Sequence, residues 1–169
     1  MTELIRIAIL TVSDRCACGD AVDESGPALA RRATESLPAT LIAHTCVADE
    51  IDAIASALRA WSQPDANVDL ILTTGGTGFA LRDVTPEAAS MVIERPAQGL
   101  IHLMLSECAH HTPFACLSRA VAGICDSTLI ITLPGSPRGA TQSFDALAPV
   151  LPHAIAILKG DSTAHPQSN

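Results

Sequence analysis

The segment Val68 to Thr74, VDLILTT, runs directly into Gly75-Gly76-Thr77-Gly78, and after a polar loop Thr85-Pro86-Glu87 has the grammar of a new helix start. A short apolar run of this kind reads as a central strand covered on both faces, and that cover has to come from helices. The same order recurs along the chain. Residues 4–12, LIRIAILTV, end at Ser13-Asp14, and Thr128 to Leu133 ends at Pro134-Gly135-Ser136-Pro137. Strands that deliver short polar loops into helices specify an α/β domain with a largely parallel sheet.

The helical pattern fills the intervals. Ser25-Gly26-Pro27 opens a helix through about Leu37, and Leu41 to Val47 reads as a second strand. Ile51, Ile54, Ala55 and Leu58 repeat at helical spacing, which predicts an amphipathic helix over 50–62 with Asp49 near its N-cap. Pro96 separates helices at about 86–94 and 98–109. Strands at Arg119 to Ile124 and Thr128 to Leu133 flank a Cys125-Asp126-Ser127 turn, and helices at about 139–148 and 152–159 close the domain. The expected architecture is a three-layer αβα fold with a mostly parallel central sheet, one domain over residues 1–159, and a flexible polar tail over 160–169.

Charge narrows the function. With 17% charged residues and a formal balance of −8, broad attraction to nucleic acid or to an anionic membrane is not supported, so a polyanionic ligand would have to be held locally. No apolar stretch approaches the roughly 18 residues of a membrane span, and MTELIRIAILTVSDR is unlike a signal peptide, so a cytoplasmic protein is expected. The six cysteines lack metal-ligand spacing and read as buried free thiols, and the adjacent His110-His111 project differently from any helix. Arg82, Arg119 and Arg138 lie in or beside the Gly/Pro/Ser segments, where a phosphate could meet them.

Ligands of parallel sheets bind outside the carboxyl ends of the strands, where Ser13-Asp14, the Gly75–Gly78 loop and Pro134–Ser136 fall. Gly75, Gly76 and Gly78 permit close backbone approach, so successive N–H groups could cradle a phosphate, with Thr77 adding a hydroxyl. A tight strand-to-helix turn would use the same residues. Asp83 beside Arg82 favours the anion site, because a carboxylate next to bound phosphate calls for a bridging Mg²⁺. The loop is neither of the commoner nucleotide motifs, since no Gly-Lys-Ser/Thr follows and the glycine spacing is not Gly-x-Gly-x-x-Gly.

Thr74-Gly75-Gly76-Thr77-Gly78 followed by Arg82-Asp83-Val84-Thr85-Pro86-Glu87 resembles the signature of the molybdopterin-binding fold family. Ser13-Asp14, Asp49-Glu50, Leu117-Ser118-Arg119 and Leu133-Pro134-Gly135-Ser136 fall where that family has its corresponding motifs, so the resemblance covers about residues 5–159. Phe79-Ala80 and Leu151-Pro152-His153-Ala154-Ile155 are most similar to the molybdopterin adenylyltransferase branch, which includes gephyrin-type domains.

The resemblance implies Mg²⁺-dependent adenylylation of molybdopterin with ATP as co-substrate. Asp49 and Asp83 would be the acidic, metal-holding residues on which activity depends, and Ser118 and Arg119 would line the pterin-phosphate side. The nucleotide would meet Gly75, Gly76, Thr77, Gly78, Pro134, Gly135 and Ser136, with Ser13 and Asp14. It also implies a homotrimer and a downstream molybdenum-insertion protein as partner. Taken without the resemblance, Asp49 reads as a helix N-cap, Arg119 as a surface ion-pair partner and Pro134–Ser136 as a simple turn. Relatives usually have Glu-Arg-Glu-x-Pro-Gly where this chain has Glu94-Arg95-Pro96-Ala97-Gln98-Gly99, so an acid is lost and the proline displaced. That departure supports an alternative, a non-catalytic molybdopterin or cofactor carrier or scaffold. A nucleotide hydrolase is a third reading.

Overall fold

The structure, a computed structural model, describes residues 4–160. In chain order it comprises β1 (Ile5–Val12), α1 (Asp14–Ala17), α2 (Ser25–Ser36), β2 (Ala39–Val47), α3 (Ile51–Ser62), β3 (Leu70–Thr74), α4 (Thr85–Ser90), β4 (Arg95–Pro96), α5 (Gln98–Ala109), β5 (Ala122–Cys125), β6 (Thr128–Leu133), α6 (Pro137–Leu147) and α7 (Leu151–Leu158). Short 3₁₀ turns occupy Pro64–Ala66 and Pro113–Leu117. The sheet order is β2-β1-β3-β6-β5-β4, with β2, β1, β3 and β6 mutually parallel and β5 antiparallel to both of its neighbours.

Alternation along the strands builds two cores. From β1, Ile5, Ile7 and Ile9 enter a cluster with Leu29 and Ala33 of α2, Met104 of α5 and Phe144 of α6. Ala8, Leu10 and Val12 point the other way, against Ile54, Ala55 and Leu58 of α3 and Ala88 and Ala89 of α4. The result is the expected three-layer α/β fold. Because β1 leads to β2 on one side and β2 leads past β1 to β3 on the other, right-handed crossovers put α2 and α3 on opposite faces. The strand order reverses at β1/β3, where the carboxyl ends of neighbouring parallel strands leave a crevice.

Several boundaries differ from the sequence expectation. Residues after Ser13 form the helical turn α1 instead of a plain loop, because the Ser13 hydroxyl accepts from Cys16 N and caps it. Glu50, not Asp49, is the N-cap of α3, and it makes no side-chain cap bond. The helix expected over 86–94 stops at Ser90, and Arg95–Pro96 becomes a two-residue edge strand, where a proline costs no ladder bond. Helix α6 begins at Pro137, two residues early, with Ser136 capping Gly139 N. Of the cysteines only Cys108 is buried; Cys18 and Cys116 are exposed and the other three half-buried, which corrects the reading of six buried thiols. Apart from Gly160, the expected tail lies outside the described residues. Among the described residues no helix is long and apolar enough to cross a membrane.

At the opposite end of the sheet from these loops, Asp69 fastens three elements. Its carboxylate accepts from Arg6 N at 2.8 Å and Arg6 Nη2 at 2.6 Å, and pairs with Lys159 Nζ at 3.0 Å. Burial alone would raise the Asp69 carboxyl, but the bonds from Arg6 and Lys159 outweigh it and hold it below the usual carboxylate range. Its stabilisation is therefore complete above the unfolded-state value near pH ~4 and is lost as pH falls through the lower folded value. Asp69→Asn is expected to cost about 1.5 kcal/mol at pH 7, and the gap to wild type should narrow as pH is lowered from 7 to about 3. Urea unfolding at both pH values checks this; a gap independent of pH would show that the charge is not what matters.

Candidate functional site

Four strand ends meet around the glycine turn. Gly75 N donates to Leu133 O at 3.1 Å, Thr74 Oγ1 to Pro134 O at 2.7 Å, and Ser13 N to Val47 O at 2.9 Å. Gly75 has φ +110°, and a Cβ there would strike the Val12 carbonyl oxygen, so the turn lies flat against the end of β1. A Cβ at Gly135 would sit 3.1 Å from Gly75 Cα, so the β6 loop crosses the turn backbone to backbone. The three loops singled out in the sequence are thus in contact, and every residue assigned there to the nucleotide lies at this convergence or on its rim.

The acids cluster beside it. Asp14 and Asp49 exchange backbone bonds: Asp14 N donates to Asp49 Oδ2 at 2.8 Å, and Asp49 N to Asp14 Oδ1 at 3.0 Å. Arg82 grips Asp14 with Nη2 at 2.8 Å and reaches Glu50 Oε1 with Nη1 at 2.9 Å. The backbone bond from Asp49 and then Arg82 hold the Asp14 carboxyl below its ordinary value. Asp49 goes the other way. Burial pushes it up, and the charges of Asp14 and Asp83 add to that, against the opposing bond from Asp14 N. Asp83 accepts from Ala80 N at 2.8 Å through Oδ2 and is half-buried, not the exposed loop acid its position suggests. Among the described residues nothing donates to Asp49 Oδ1 or Asp83 Oδ1, leaving one free oxygen on each side of the turn.

Arg119 does not present its guanidinium to the opening. Nε donates to Gly78 O at 2.7 Å, and the two terminal nitrogens bond Asp83 O and Glu87, while Arg119 N donates to Thr77 O at 2.8 Å. The side chain clamps residues 77–83 onto the start of α4. Neighbouring Ser118 ends the 3₁₀ turn and faces the cleft. Two of the three arginines expected to meet a phosphate are therefore otherwise engaged, Arg82 with the acids and Arg119 with loop carbonyls and Glu87, whereas Arg138 is exposed on the first turn of α6.

The cleft holds about 430 Å³. One wall is the polar backbone of Gly76–Gly78 and Gly135–Ser136; the other is apolar, from Met104, Cys108 and Phe114. Among the described residues no lysine or arginine lines it, so an anionic group would be held by amides and hydroxyls. A second cleft of about 330 Å³, with Ser13, Asp49 and Ser25 on its walls, lies across the Gly75-Gly76 and Gly135 contact. Sequence reasoning missed the apolar wall, although Thr112-Pro113 has the grammar of a short helical start, with Thr112 accepting from Phe114 N. It also missed Glu50 and Glu87 as arginine partners, because ion pairs between distant segments leave no local signal.

The model of a family described as a probable molybdopterin binding domain matches residues 8–153. The chain belongs to this family. It is 38% identical to the molybdopterin adenylyltransferase of Helicobacter pylori strain J99 over 94% of this chain and 90% of that one. It is 39% identical to the Drosophila melanogaster molybdenum cofactor synthesis protein cinnamon over 94% of its own length, and spans only 26% of that relative. Among solved structures, the molybdopterin biosynthesis enzyme MoaB of Thermus thermophilus superposes with a TM-score of 0.86 at 44% identity, covering 93% of this chain and 98% of that one. The three-layer fold described above is thus shared with that solved structure over nearly the whole chain.

Proposed function

We propose that this chain acts in molybdenum cofactor biosynthesis by adenylylating molybdopterin with ATP, releasing pyrophosphate. The observation that carries the reading is the two-faced cleft: an apolar wall suited to a flat heterocycle opposite a cation-free rim of backbone amides suited to phosphate, with one free carboxylate oxygen on each flank of the glycine turn. Relatives named for this reaction and pathway support it. The pterin belongs in the two-faced cleft beside Ser118. The nucleotide belongs at the glycine turn, towards Ser13 and the second cleft.

The residues fit Mg²⁺ brought in with the nucleotide. No group of three or more His, Cys, Asp or Glu among the described residues forms a cage, and Mg²⁺ is commonly held by one or two carboxylates plus substrate phosphates. Asp49 and Asp83 would hold it, and a cation's arrival would offset the burial and neighbouring acids that push Asp49 up. The cation would neutralise charge building on the phosphates. The chain's own part is positioning: Arg119 fixes the Thr77–Asp83 backbone, and the turn amides orient the phosphate.

Pyrophosphate release that requires both molybdopterin and ATP tests the reading; release without pterin would indicate a hydrolase, and pterin binding without release a carrier. The carrier reading rests on residues 94–99. These form the edge strand and the start of α5, and Pro96, Gln98 and Gly99 line a separate cleft, none of them the one described here. A homotrimer is also proposed. Sedimentation equilibrium should return three times the 17.5 kDa chain mass, and a monomer at micromolar concentration would count decisively against it.

A further inference from the structure

Thr85 is fully buried, and its hydroxyl has no hydrogen-bond partner among the described residues. Its backbone N–H donates to Gly76 O at 3.0 Å, so the residue opens α4 directly against the glycine turn. Thr85 Oγ1 and Asp49 Oδ1 border one point, the position where a side chain on residue 76 would begin: Asp49 Oδ1 lies 3.1 Å from it and Thr85 Oγ1 closer still. Gly76, with φ +63°, keeps that space clear of a side chain. The other oxygen of Asp49 is tied to Asp14 N at 2.8 Å, so the carboxylate is anchored at one end and free at the end nearer Thr85.

Buried hydroxyls are almost always bonded, and valine offers the same shape without the unmet donor, so folding alone would favour valine here. We propose that Thr85 is a positioning residue for Asp49: when ligand fills the site its hydroxyl donates to Asp49 Oδ1 and fixes the carboxylate towards the cation carried by the nucleotide. This rests on the functional reading above and adds a residue to it. Thr73 supplies a control, as the other buried hydroxyl without a partner among the described residues, set within β3 between Leu10 and Thr132 of its neighbours.

The test is calorimetric titration of the full chain with ATP, in Mg²⁺ and in EDTA, together with ligand-free melting temperatures. Thr85→Val is expected to melt about 2–4 °C higher, to bind ATP in Mg²⁺ about tenfold more weakly, and to match wild type in EDTA. Thr85→Ser should restore the Mg²⁺-dependent affinity, and Thr73→Val should gain stability with affinity unchanged. Wild-type affinity in Thr85→Val, or an equal loss in Thr73→Val, overturns the proposal alone. A wild-type chain that binds no ATP in Mg²⁺ overturns the functional reading and this proposal together.

Discussion

The Asp83→Asn protein is expected to keep its melting temperature while the rate of the proposed adenylylation falls at least about 10²-fold, roughly 2.7 kcal/mol of transition-state stabilisation. The geometry separates the two effects. Asp83 Oδ2 accepts from Ala80 N at 2.8 Å, and Asp83 N returns a bond to Ala80 O at 2.9 Å. An asparagine carbonyl can accept the first and leaves the second untouched, so the turn should survive. Only the charge is lost, on an oxygen that no donor among the described residues satisfies. If Asp83 serves only to close the turn, asparagine should do that work and turnover should be near normal. Pyrophosphate release at saturating molybdopterin, ATP and Mg²⁺, measured beside a melting curve, decides between them. Lost turnover with intact melting assigns the carboxylate to chemistry, whereas near-normal turnover removes Asp83 from the site.

Gly75→Ala should unfold the protein far more easily, by at least about 3 kcal/mol, a fall of about 6–12 °C in melting temperature. Two costs add. The backbone at φ +110° is one that alanine rarely adopts, and the new methyl would be driven into the Val12 carbonyl oxygen, a backbone atom that cannot rotate away. Displacing it would part β1 from β3 at the end where the site is built. Gly135→Ala is the comparison. Its methyl would meet Gly75 Cα at 3.1 Å from a residue without positive φ, so a small shift suffices and a cost of about 1 kcal/mol is expected. Urea unfolding of both variants measures the contrast, and equal small losses would show that the strand-end contact is loose.

How much of the site was legible depends on how its parts are encoded. The strand-end loops were readable because each is local: a branched apolar run, then glycine, proline or serine where the chain must turn. The reciprocal bonds of Asp14 and Asp49 were not, since they join residues at the ends of different strands, and the same carboxylate read equally well as a helix cap. Arg119 shows the limit most clearly. Beside a polar cleft, an arginine suggests an anion partner, yet here loop carbonyls and Glu87 take its donors.

By itself the sequence determined the layered α/β plan, the family, and the segments that gather at the carboxyl ends of the sheet, because periodicity and turn chemistry act over a few residues. Only the tertiary structure decided which charges remain available. Among the described residues it engages Arg82 and Arg119 internally, leaves one oxygen of Asp49 and of Asp83 without a donor, walls the cleft with α5 and the 3₁₀ turn, and sets an unpartnered Thr85 hydroxyl beside Asp49. The physical reason is that hydrogen bonds and ion pairs depend on distance and direction in space, and residues 14, 49, 83 and 119 become neighbours only when the crossovers bring the strand ends together.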